Sequence, residues 1–149
     1  MGQQQLLLLV LGIVIVGLAV VVGIQAFSDN LVKSEADALT VDVARVASDL
    51  QAWAQKPVAF GGGGSSFQPN SVDVDFDNLG YPTGDQSLTT CTPGGMDYET
   101  PNGSISLAIT GATAATITAI GCATDGTTRN TVVATVSGLG AGDISTVVN

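Results

Sequence analysis

Cys91 and Cys122 are the only two cysteines of this 149-residue chain, which contains no histidine. Without histidine and without a C-x-x-C spacing, the thiols make a poor metal site. They lie beyond an apolar segment that would place them on the exported side of a membrane, and there they suit a disulfide. In the chain-entropy model, a bond closing a loop of about 32 residues stabilises a fold by roughly 3–4 kcal/mol. Asp73, Asp75 and Asp77 offer a second chemistry, because carboxylates in D-x-D-x-D spacing are oxygen ligands of the kind calcium takes. The pattern then departs from a calcium loop. Asn78 stands where glycine is usual, and Gly84 stands where a bidentate glutamate would close the shell. Alternating Val72, Val74 and Phe76 account for the same stretch as a strand with an acidic outer face, which is the expectation adopted. Asn102-Gly103-Ser104 fits an N-glycosylation sequon, and the Ser and Thr residues after it offer hydroxyls for O-linked sugars. Exposed strand threonines explain them more simply.

Catalysis finds no foothold. The chain has four basic residues, and no Ser or Cys has a plausible base near it. The aspartate triplet comes without a cleft-forming pattern around it. Neither an enzyme nor a cofactor is expected. A formal net charge of −9 argues against nucleic-acid binding. Aromatic residues make up 5% of the chain, too few for conduction through stacked rings. An acidic exterior rich in Gly and Thr suits a solvated surface.

The elements that must position these residues begin with the apolar segment. Residues 6–24 read LLLLVLGIVIVGLAVVVGI, and no charge follows until Asp29. As a helix this run is roughly 28 Å long, close to the hydrocarbon thickness of a bilayer. A signal peptide, a permanent anchor and the assembly helix of a filament subunit compete for it. A signal peptide wants a basic start and a small-x-small cleavage site, and MGQQQ and QAFSDN supply neither. An anchor in the usual orientation carries Lys or Arg at its cytoplasmic end. Their absence points to a mature chain whose basic leader has been removed. Within the run, Gly12, Gly17 and Gly23 permit close backbone approach, and Ala19 and Gly23 have small-xxx-small spacing.

No Gly or Pro interrupts residues 28–56. Val32, Ala36, Leu39, Val43, Val46, Leu50 and Trp53 recur at spacings of four and three, an apolar helical stripe. Asp29 and Lys33 stand in the favourable i, i+4 order, and Arg45 has Asp42 and Asp49 within a turn. No stop signal separates stripe from run, since one glycine costs only about 1 kcal/mol. Pro57 ends the helix, and the glycines at 61–64 read as a flexible exit. One helix over about residues 2–56 is the result, apolar all round in its first half and one-sided in its second.

An apolar segment starting within a few residues of Met1, its amphipathic continuation and a β-rich remainder together resemble the type IV pilin family, including the pseudopilins of secretion systems. The resemblance covers Met1 to Lys56 well and the rest in general composition. It implies a subunit held in the inner membrane, trimmed by a prepilin peptidase, and drawn by pilus assembly machinery into an extracellular helical homopolymer. Met1 would be its N-methylated first residue. The assembly contacts would come from Met1, Gln5, Leu6, Leu9, Gly12, Ile13, Val16, Gly17, Val20, Gly23 and Ile24. The family usually carries glutamate at the fifth mature position, bonded to a neighbour's N-terminal amine, and here the residue is Gln5. A neutral amide costs less to bury than a carboxylate, and its oxygen still accepts a hydrogen bond. Register would then rest on Gln3, Gln4 and Gln5. Three other readings stay open. They are a minor pseudopilin, an archaeal filament protein, and a monomeric membrane-anchored binding module using loops 61–66 or 80–101.

The remainder reads as a small head. Short β-branched runs bounded by turn residues fall at 71–77, 104–110, 113–123, 131–137 and 143–148. Asn102-Gly103 and Asp125-Gly126 are turn signals, the second joining two strands as a hairpin. The expected fold is α+β: an antiparallel sheet packed on Leu39, Val43, Val46, Leu50 and Trp53 of the long helix. The expected units are 1–27 for the membrane and assembly helix, 28–60 for its amphipathic continuation and 61–149 for the head.

Overall fold

The computed structural model describes residues 2–82, 98–124 and 129–149. One helix, α1 (Gly2–Gln55), precedes β1 (Tyr98–Thr100), β2 (Gly103–Gly111), β3 (Ala114–Thr124), β4 (Arg129–Val136) and β5 (Ile144–Val148). The strands pair antiparallel with their sequence neighbours, so the sheet order is the chain order. The second half of α1 lies against β3, β4 and β5. The fold is therefore α+β, a long N-terminal helix packed on a C-terminal antiparallel sheet.

The helix stripe supplies one side of the core. Leu39, Val43, Val46 and Leu50 are fully buried, joined by Ala47 and Ala54. Opposite them the inner face of the sheet alternates bulk with alanine, as in Ile117 beside Ala115 and Ala119 on β3. Small residues there let the helix axis come close. One close approach falls on a glycine pair, Gly103 of β2 opposite Gly121 of β3. The Leu39 side chain sits over it, and a Cβ on either glycine would strike Leu39 together with the Ile120 carbonyl or the Glu35 carboxylate. Trp53 is half-buried at the rim of this core, not inside it, and its indole N–H is buried without a hydrogen-bond partner among the described residues.

Three expectations change. The glycine-rich stretch after the helix is no flexible exit. Gly63 N–H donates to the Trp53 carbonyl (3.1 Å), Ser65 N–H to Ala54 (2.7 Å) and Gly64 N–H to Lys56 (2.9 Å). Orphan carbonyls at the helix end are thereby satisfied, which fixes the chain instead of freeing it. Residues 71–77 form no strand. A single 3₁₀ turn at Pro69–Ser71 leads into an extended stretch without a ladder, held by Val74 N–H to the Phe67 carbonyl (3.0 Å). Val74 and Phe76 do point inward, whereas Val72 is exposed. Phe76 is held by rings, not by strand pairing: Tyr81 meets it edge-on at 5.8 Å and Tyr98 at 5.7 Å. In exchange, β1 is a strand that the pattern does not announce, because three residues before Pro101 are too few to display a period of two. The Asp125-Gly126 turn lies outside the described residues, though Thr124 pairs with Arg129 across it.

Gly103→Ala should lower the unfolding free energy by about 1–3 kcal/mol, since the added methyl overpacks against the Ile120 backbone carbonyl, and Gly121→Ala by less, since the Glu35 carboxylate it meets can swing aside. Denaturant unfolding followed by the fluorescence of Trp53 measures it; unchanged stability would contradict the close helix–sheet contact.

Candidate functional site: the projecting helix and its seat on the head

Every residue from 2 to 31 of α1 is exposed. Gln5, Leu6, Leu9, Gly12, Ile13, Val16, Gly17, Val20, Gly23 and Ile24 all lie in this projecting half, while Met1 falls outside the described residues. Gln5, Leu9, Gly12, Val16, Val20 and Gly23 recur at spacings of three and four, so they share one side of the helix. A side chain built at Gly12, Gly17 or Gly23 would meet nothing within 4 Å. Leu6 is 67% exposed and Ile24 66%, so the segment has no cover among the described residues. Each such side chain gains about 1.5–3 kcal/mol on leaving water, far more in sum than a small head can offset. α1 is long and apolar enough to cross a membrane near the N-terminus, and that segment could anchor the chain in one.

The head grips the other half by polar ties as well as by its core. At the upper end the Glu35 carboxylate accepts from the Cys122 backbone N–H (2.6 Å) and from the Asn130 side-chain amide (3.3 Å). Asn130 also donates to the Val32 carbonyl at 2.7 Å. Midway, Asn102 donates to Asp42 at 3.1 Å, and the Tyr81 hydroxyl donates to Asp49. At the lower end Gln51 donates to the Gly138 and Gly140 carbonyls (3.0 and 2.8 Å), and Gln55 to that of Leu139 (2.8 Å). Sequence reasoning missed these ties, since glutamates and glutamines on a helix read as solvent-facing until their partners are placed. Burial first, and then the bond to Asp49, push the Tyr81 phenol well above its ordinary value.

The remaining motifs resolve differently. Asp73 accepts from the Gln68 side chain, and Asp75 from the side chain and backbone of Asn78, which hold its carboxyl below the usual range. Each aspartate serves a local turn and points into solvent. Among the described residues, no group of three His, Cys, Asp or Glu side chains is placed to hold a metal ion. The sequon asparagine is engaged in the tie to Asp42. Cys122 is disulfide-bonded; Cys91 lies outside the described residues. Comparison with protein-family models, with curated proteins and with solved structures finds no match to this chain.

Two outcomes follow from the seat. Glu35→Ala removes the 2.6 Å acceptor of the Cys122 N–H, leaving the longer bond to the Asn102 carbonyl (3.4 Å), and should cost about 1–3 kcal/mol, whereas Glu35→Gln, which keeps an oxygen there, should cost less. Denaturant titration of both variants separates the hydrogen bond from simple loss of bulk. For Tyr81 the sign is set by its raised folded value. Its contribution is fully present below the unfolded tyrosine value of about 10 and is lost as pH rises above it. Melting temperature should therefore fall more steeply above pH 10 in the parent chain than in Tyr81→Phe; equal slopes would exclude the linkage.

Proposed function

We propose that this chain is the structural subunit of an extracellular type IV pilin-like filament, polymerising through the apolar half of α1. The observation that carries the reading is one uninterrupted helix, Gly2–Gln55, with a fully exposed apolar half and a half locked to the head. A membrane anchor needs the apolar half alone, and a flexible tether would serve it. Rigid continuity matters when the position of one helix must dictate the position of a head, as in a helical polymer.

Before assembly the inner membrane would hold the segment, after a prepilin peptidase has trimmed the precursor. Lipid tails and a bundle of such helices are similarly apolar, so transfer by the assembly machinery exchanges one dry surrounding for another. Helix association in such surroundings comes from close packing and hydrogen bonds, not from the hydrophobic effect. Gly12, Gly17 and Gly23 leave shallow places where a neighbouring backbone fits. The side bearing Gln5, Leu9, Gly12 and Val16 would then face other copies, with the Gln5 amide setting register against a neighbour's N-terminal amine.

Electron microscopy of material sheared from cells should reveal thin regular fibres containing this chain; finding it solely as detergent-soluble monomers would overturn the proposal. Gly12→Leu should remain in the membrane fraction but yield far fewer fibres, because insertion needs only hydrophobicity and assembly needs the close approach. Equal fibre yield would remove the glycine from the assembly contact.

A further inference from the structure

Asn102 is the only asparagine of the chain that glycine follows. Glycine leaves the backbone nitrogen unshielded and the local dihedrals free, so this pair is a thermolabile one. In the reaction the Gly103 nitrogen loses its proton, attacks Cγ of Asn102 and expels the side-chain amide as ammonia. Water then opens the resulting succinimide ring at either carbonyl. One opening gives aspartate and the other gives isoaspartate, whose backbone runs through the former side chain. The balance is asparagine plus water to a carboxyl group plus ammonia, with no oxidant or cofactor.

Both reacting groups are held in the folded chain. The Asn102 side-chain amide donates to the Asp42 carboxylate across the helix–head contact at 3.1 Å. The Gly103 N–H donates to Thr100 Oγ1 at 3.2 Å, and the same hydroxyl donates to the Gly103 carbonyl at 3.0 Å, both bonds buried. Thr100 pairs with Gly103, so Asn102 stands in a turn of two residues, and its carbonyl accepts from the Cys122 N–H at 3.4 Å. Ring closure needs two motions. The side chain must swing away from Asp42, and the backbone between Asn102 and Gly103 must turn, which breaks the pairing with Thr100.

We infer that Asn102 is a self-modification site, silent while α1 is seated on the head and open to deamidation when that seat opens. The product does not fit the seat it left. Aspartate at 102 sets a second carboxylate against Asp42 where a donor stood, and like charges in contact repel. Isoaspartate adds a carbon to the backbone of the two-residue turn between β1 and β2. Opening by itself is reversible, but opening followed by loss of ammonia is not. The chain thus keeps a chemical record of lost helix–head contact. That record does not depend on what surrounds the apolar half of α1.

The test ages the full chain in detergent at mildly alkaline pH and follows the peptide containing Asn102 by mass spectrometry. Deamidation in the folded chain should run at least about tenfold slower than in the same chain unfolded by urea, because reaction is confined to the opened fraction. Asp42→Ala should raise the folded-state rate several-fold. Gln55→Ala, which removes a tie at the far end of the seat, should leave it near the parent's. Asn102→Asp should lower the melting temperature, and Asp42→Asn on that background should restore most of it by exchanging donor and acceptor. Equal rates in the folded and unfolded chain would overturn the proposal, as would an Asp42→Ala rate no higher than that of Gln55→Ala. An Asn102→Asp chain that melts like the parent, or one that Asp42→Asn does not recover, would refute the misfit of the product.

Discussion

An apolar helix surface left exposed among the described residues governs this molecule. Residues 6–24 put leucine, isoleucine and valine on every side of α1, and all of them are exposed among the described residues. A helix is apt for that role because its backbone hydrogen bonds are internal, so lipid or a bundle of like helices can surround it without leaving polar groups orphaned. The described residues beyond Val32 pack the second half of this helix onto the sheet, so the apolar half extends from the head as part of one continuous helix.

The head accomplishes this with little material. Its inner face uses alanine and a glycine pair where larger side chains would hold the helix away, so the area of close contact compensates for the small size of each residue. Hydrogen bonds from Asn130, Asn102, Tyr81, Gln51 and Gln55 then fix the helix along the length of that contact. Such ties contribute modestly each, about 0.5–1.5 kcal/mol, but they define the rotation and translation of α1 on the sheet, which apolar packing alone leaves loosely specified.

Periodicity revealed most of this where a single element decides its own pattern. The stripe from Leu39 to Leu50 is legible because helix packing repeats every three or four residues; β2, β3 and β4 are legible because one face of each is buried in part, and β5 because its residues are β-branched. The stretch at 71–77 shows the limit. Its alternation correctly turns Val74 and Phe76 inward, yet alternation records burial and not ladder pairing. Glycines at 61–64 misled for a related reason: glycine permits a loose tether and an unusually tight cap equally well, and only neighbouring carbonyls distinguish them.

The chain's own residues settle the apolar segment, the length and sidedness of α1 and the approximate strands, since each depends on local propensity and on the contrast between water and a dry interior. Only the tertiary structure decided which aspartates are turn residues, that the sequon asparagine ties helix to hairpin, and that Glu35 holds β3 to α1. These are statements about partners distant in sequence. No periodicity encodes them, because a hydrogen bond is specified by where two groups meet in space.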